Sequence, residues 1–133
     1  MRGKEVWVLA LVWGMLLVLG GCQSQAVQEF PLTKFKAESM LDEGIRQYDN
    51  GDYKVAARTI QGSLDAGLTT RSQGRAHKYL AFMYCIGGQQ NQCRDEFRRA
   101  LDIDPRLDLK PEEAGHPIWG PVFKSVKAST PKQ

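Results

Sequence analysis

The chain has 133 residues, 42% of them hydrophobic, and 18 basic against 15 acidic residues leave a net charge of +3. That length supports one domain and no more. The charge is mild and interspersed, as in EGIRQYDNGDYK and CRDEFRRALDIDPR, so there is no basic stripe of the kind nucleic-acid binding requires, and no nucleic-acid partner is expected.

The first 22 residues differ from the rest. Arg2 and Lys4 precede VWVLALVWGMLLVLGG, a 16-residue apolar run from Val6 to Gly21, and Cys22 follows. A basic start, an apolar run and small residues before a cut site describe a secretory signal over 1–21. The run is short for a membrane span, which needs about 20 residues. Leu19 to Cys22, LGGC, resembles the lipobox of bacterial lipoproteins. The resemblance implies that the Cys22 thiol carries a diacylglyceryl group with palmitate-type chains. It also implies that the signal is cut just before Cys22 and that the new amino terminus is acylated too. One myristoyl-sized chain holds a protein only marginally, whereas two or three make release slow. Gln23 follows the cysteine. In enterobacterial lipoproteins an Asp there favours the inner membrane, so its absence favours the outer membrane, facing the periplasm. An uncleaved anchor, or a cleaved signal without lipid, are the alternatives.

Residues 22–32, polar and Gln-rich, read as a flexible tether, with Pro31 discouraging helix before it. Thr33 to Asn50 is the first predicted helix, with Met40, Leu41, Gly44, Ile45 and Tyr48 at helical spacing. Asn50-Gly51-Asp52 is a turn signal. Tyr53 to Ala66 is the second helix, with Ala56, Ile60 and Leu64 inward and Gly67 closing it. Thr69 or Thr70 can cap the third. In that helix Leu80, Ala81 and Tyr84 share a face, and Gly87 and Gly88 stop it. The fourth carries Cys93, Phe97, Ala100 and Leu101 on one stripe and ends at Pro105.

The order Leu80-Ala81…Tyr84…Gly88…Cys93…Phe97…Ala100-Leu101…Pro105 resembles a tetratricopeptide repeat, a helix-turn-helix unit of about 34 residues. Met40, Gly44, Gly51, Tyr53, Ala56, Ile60 and Leu64 repeat that order less closely, with Gln47 where an aromatic is usual. Gly44 and Ala81 are 37 residues apart. The fold implied is all-α: two tetratricopeptide-like hairpins plus a short C-terminal capping helix, over residues 33–127. A pair of helical hairpins without repeat ancestry is the alternative. In such arrays the first helix of each repeat lines a concave face. Carried over, that places Leu41, Ile45 and Tyr48 beside Arg75, Lys78, Phe82 and Ile86 in a groove suited to a peptide with apolar anchors and an acidic group. The competing expectation is that the C-terminal segment folds back and fills this groove, with Trp119 or Phe123 as the plug.

Cys85 and Cys93 flank the turn of one hairpin. In an exported domain they are candidates for a disulfide, with two buried thiols as the alternative. After Pro105 the chain holds four of its six prolines. Leu107 and Leu109 alternate with charges, which suits an extended piece. Pro121 suits the first turn of a helix. Ile118 to Val126 is expected to pack on the fourth helix as the cap that a repeat array requires, and 128–133 to form a disordered tail.

No catalytic constellation is apparent. His77 and His116 are the two histidines, and no nucleophile motif, phosphate loop or metal-ligand spacing accompanies them. No cofactor, metal or small-molecule substrate is expected, nor enzyme activity. The combination of LGGC, two repeats, YCIGG…QCRDEF and EAGHPIWGPVFKSVK resembles the TssQ family of type VI secretion-associated lipoproteins. That implies an accessory module binding envelope or secretion-system proteins. A pilotin-like or cargo-chaperone lipoprotein, or an enzyme acting on cell wall or effector, are the other classes considered.

Overall fold

The computed structural model describes residues 30–131, so the signal-like segment, Cys22, the tether up to residue 29 and residues 132–133 lie outside the described part. Among the described residues the structure is all-helical, with six helices. These are α1 (Phe30–Asp49), α2 (Tyr53–Ala66), α3 (Thr70–Ile86), α4 (Gln90–Ile103), α5 (Pro111–Ala114) and α6 (Gly120–Ser129). The long helices pair as α1 with α2 and α3 with α4, each pair packed along its length, while contact between the pairs is lighter. The short α6 lies against α4.

Both pairs turn the same way for the same reason. Gly51 and Gly88 take positive φ, 84° and 74°, where a side chain would be strained, so each chain reversal depends on a residue without Cβ. α2 and α4 are each 14 residues long and begin 37 residues apart. Inside each pair, small residues set the approach. A Cβ at Gly44 would lie 2.5 Å from Ile60 Cγ1 and 3.2 Å from the Ile60 amide nitrogen, so α1 and α2 meet where α1 has no side chain. In the second pair Ala81 and Cys93, both fully buried, allow similar closeness. Phe97 and Phe82 fill the adjoining space, meeting edge to face with centroids 5.9 Å apart.

One link from α1 to α3 is polar. Thr69 caps α3, its hydroxyl accepting from the Ser72 amide at 3.3 Å. The Glu38 carboxylate, reaching from α1, accepts from the Thr69 hydroxyl at 3.0 Å and the Ser72 hydroxyl at 2.6 Å. Partial burial pushes the Glu38 carboxyl up, but hydrogen bonds from Ser72 and Thr69 outweigh it and hold it below its ordinary value.

Two boundaries differ from the sequence expectation. α1 begins at Phe30, not Thr33, so the last three residues assigned to the tether are helical. Pro31 is compatible with this because the first amides of a helix have no intrahelical acceptor, so proline loses no bond there. At the other end α6 runs to Ser129, taking in residues 128 and 129 of the expected tail. The hydroxyls of Ser129 and Thr130 both donate to the Val126 carbonyl, satisfying a group the helix end would leave unpaired.

Cys85 and Cys93 are brought to disulfide distance, their Cα atoms 5.1 Å apart. Their side chains are buried, at 2% and 0% exposure. The intact protein should weigh two hydrogens less under non-reducing conditions than after reduction. Replacing both cysteines by alanine should cost about 2–3 kcal/mol, the loop-closure value for so short a loop. Two alkylatable thiols in protein from an oxidising compartment would contradict the bond. A second pair of variants checks the helix approach. Gly44→Ala should destabilise by about 1–3 kcal/mol in chemical denaturation, since Ile60 must move. Gly74→Ala, whose new Cβ would meet neighbours only at 3.4 Å or more, should be neutral or stabilise by up to about 1 kcal/mol.

Candidate functional site

Lys78 and Phe82 stand one turn apart on α3, so they share a face. That face looks toward the segment between α4 and α6. Lys78 is 7% exposed and Phe82 1%. An ammonium this enclosed needs a counter-charge, because desolvation without one is costly. Glu113 on α5 supplies it: Lys78 Nζ donates to Oε1 at 2.7 Å and to Oε2 at 2.8 Å. The rings of Tyr79 and Phe82 lie below the same ammonium, with centroids 5.0 and 5.5 Å away, adding a cation–π attraction. Glu113 Oε2 also accepts from the Lys110 amide at 2.9 Å, which fixes the carboxylate at the start of the α5 turn.

The Phe82 ring is covered in the same movement of the chain. Trp119 stacks on it with centroids 4.5 Å apart and planes 24° from parallel. Trp119 Nε1 donates to the Glu113 carbonyl at 2.9 Å, so the polar edge of the indole is satisfied while its face is buried. His116 stacks on the other side of the indole, 3.3 Å between centroids. Gly120 follows because a Cβ there would collide with the Ala114 carbonyl oxygen. Phe123, one turn on from Trp119, meets Phe97 of α4 edge to face at 5.2 Å.

The seven residues expected to line an open groove are therefore placed unequally. Leu41, Ile45, Lys78 and Phe82 are buried, at 0%, 7%, 7% and 1% exposure. Tyr48 and Ile86 are half-buried and Arg75 is exposed. The four buried residues offer no free surface in this conformation, since the core and residues 113–119 already occupy their faces. What stays accessible is an edge. Tyr48 packs against Tyr53 and Tyr79, centroids 5.4 and 5.2 Å away, and Arg75 pairs with Asp42 at 3.2 Å. Burial first, then the neighbouring Tyr53, Tyr79, Asp49 and Glu113, raises the Tyr48 phenol well above its ordinary range.

Two further clusters lie elsewhere. His77 Nδ1 is 2.5 Å from Glu96 Oε2, and Glu96 Oε1 accepts from Arg99 at 2.8 Å, a link between α3 and α4. Beyond α6 a cleft of about 790 Å³ is bounded by Leu109, His116, Phe123, Lys124 and Lys127 among others. At its rim Lys127 pairs with Asp108 at 2.8 Å, and that hydrogen bond holds the Asp108 carboxyl below its ordinary range. Among the described residues no group of three His, Cys, Asp or Glu side chains converges on a point that could hold a metal ion.

Sequence reasoning did not find Glu113 as the partner of Lys78. A signal was present: with the 37-residue offset, Lys78 occupies the position Leu41 has in the first pair. A charge at a core position asks for an opposite charge elsewhere. Comparison of the chain with protein-family models, with curated proteins and with solved structures finds no match.

The ion pair is testable as a double-mutant cycle. Glu113→Leu strands the Lys78 ammonium and should destabilise by about 3–5 kcal/mol in denaturant melts. Adding Lys78→Met should recover most of that loss, because an apolar pair in the same space carries no desolvation cost. Equal destabilisation in the single and double variants would contradict a buried pair.

Proposed function

We propose that this chain is a lipid-anchored interaction module of the bacterial cell envelope, a tetratricopeptide-like lipoprotein of the TssQ type serving a type VI secretion machine. The observation that carries the reading is the amino-terminal pattern of Arg2 and Lys4, a 16-residue apolar run and LGGC ending at Cys22. The anchor at Cys22 holds the helical domain at the outer membrane, on its periplasmic side. The domain acts there as a binding partner for machine components and not as a catalyst.

Three features support the reading. The 37-residue offset of α2 and α4, with a positive-φ glycine before each, suits a repeated hairpin. A buried cysteine pair at bonding distance suits an oxidising compartment. The stretch EAGHPIWGPVFKSVK, on which the family resemblance rests, contains Glu113, His116, Trp119, Gly120 and Phe123. Glu113 and Trp119 seal the α3 face, His116 stacks on Trp119, and Phe123 meets Phe97 of α4, so that sequence has a physical reason to be a unit. With that face sealed, partners meet the open edge at Tyr48, Tyr53 and Arg75.

Metabolic labelling with a palmitate analogue tests the anchor. Wild-type protein should carry label and fractionate with outer membrane on a sucrose gradient. Cys22→Ser should carry none and accumulate at precursor length. Label retained on Cys22→Ser would sink the reading.

A further inference from the structure

Leu32 and Phe35 are 77% and 75% exposed, whereas the other exposed large hydrophobic residues, Tyr53, Val55 and Ile118, lie between 40% and 43%. Helical periodicity puts Leu32 and Phe35 on the side of α1 opposite Ala37 and Leu41, which are fully buried. The core therefore gives no reason for either side chain. The first turn of α1 contains no acidic residue. Lys34 and Lys36 lie in the same stretch and are exposed. The first acid of the helix is Glu38, and its carboxylate is turned to Thr69 and Ser72. Two large apolar groups one turn apart, beside basic residues and away from any core, have the composition of a helix that lies in a membrane interface.

We propose that the outer face of the first two turns of α1 rests on the anionic lipid bilayer itself, with Leu32 and Phe35 entering the headgroup–acyl boundary and Lys36 meeting lipid phosphates. The proposal rests on Cys22 being the lipid anchor. Eight residue steps separate Cys22 from Phe30, so even a fully extended connection keeps the start of α1 within about 29 Å of the backbone of the anchored residue. Of the described helices, α1 is the one the anchor holds nearest the surface. Attraction of lysine to anionic headgroups falls off within about a Debye length, so nearness is what makes the contact effective. Docking in this way fixes the orientation of the domain: α1 lies along the membrane, and its core-facing side presents α2 and α3 away from it.

The test uses the processed protein purified from membranes and reconstituted into phosphatidylethanolamine–phosphatidylglycerol vesicles, with and without brominated acyl chains. Phe35→Trp places an indole at the proposed contact. Its emission should fall by roughly half in brominated vesicles if the face enters about 5–10 Å into the boundary. The protein without that substitution should change little, because Trp119 is 6% exposed and belongs to the core. Adding Leu32→Glu and Lys36→Glu to Phe35→Trp should restore the emission while circular dichroism stays the same. The mass of the amino-terminal peptide from the same preparation reports acylation separately. An acylated protein whose introduced indole is not quenched overturns the bilayer contact and leaves the anchor standing. A protein with an unacylated Cys22 overturns both. Loss of quenching with rising protein density in the vesicles would show that a second copy covers the face, and would also overturn the proposal.

Discussion

An ammonium group enclosed by aromatic rings has to meet an opposite charge, and in this fold that requirement shapes the whole C-terminal third. Lys78 sits on a helix whose other inward positions are apolar. Its counter-charge comes from Glu113, 35 residues further along the chain. Bringing Glu113 there places Trp119 over Phe82, and Trp119 in turn positions α6 so that Phe123 reaches Phe97. The charge pair ties Glu113 to Lys78, and the stacked rings of Trp119 and Phe82 bury apolar area beside it. A buried pair of this kind is weak evidence of net stability. Its contribution is to specify one arrangement of the C-terminal segment over others that would bury the same rings.

The arrangement has a functional consequence. Helical hairpins stacked side by side leave the outer face of the last one uncovered, and that face must be closed by something. Here it is closed by the chain itself. A partner could not reach Lys78 and Phe82 without displacing Glu113 and Trp119, which is why the proposed contact lies at the Tyr48–Tyr53 edge. Burial raises the phenols of Tyr48 and its neighbour Tyr79 above their ordinary range. They offer apolar area and a hydroxyl together, which is the usual character of a rigid contact residue. The same closure creates the cleft beyond α6, whose walls are the outer sides of the sealing residues.

What the sequence revealed was mostly local. Gly51 and Gly88 announce the turns, Thr69 announces the start of α3 and Pro121 the start of α6, because each acts within a few residues of itself. The all-helical class followed from the spacing of Ile60, Phe97 and their neighbours. Phe30 to Leu32 fall within the expected tether because that stretch is polar, Gln-rich and without periodicity, and Pro31 disfavours helix before it, although a first turn tolerates proline. The Lys78–Glu113 pair was missed for a different reason. Lys78 is a charge at a position that is apolar in the first pair and so asks for a counter-charge, but only the tertiary structure shows that Glu113, 35 residues further on, supplies it. The groove expectation failed to separate an open face from a sealed one because both need the same aromatic residues at the same positions.

Residues 113–119 seal the α3 face in the protein without a partner. A nuclear Overhauser contact between the indole protons of Trp119 and the ring protons of Phe82 tests it most directly. Strong cross-peaks between those rings are expected in the protein without any partner, together with slow solvent exchange of the Trp119 indole proton bonded to the Glu113 carbonyl. Absent cross-peaks, with an indole proton exchanging as fast as an exposed one, would mean that the face is open and that the account of the C-terminal segment is wrong.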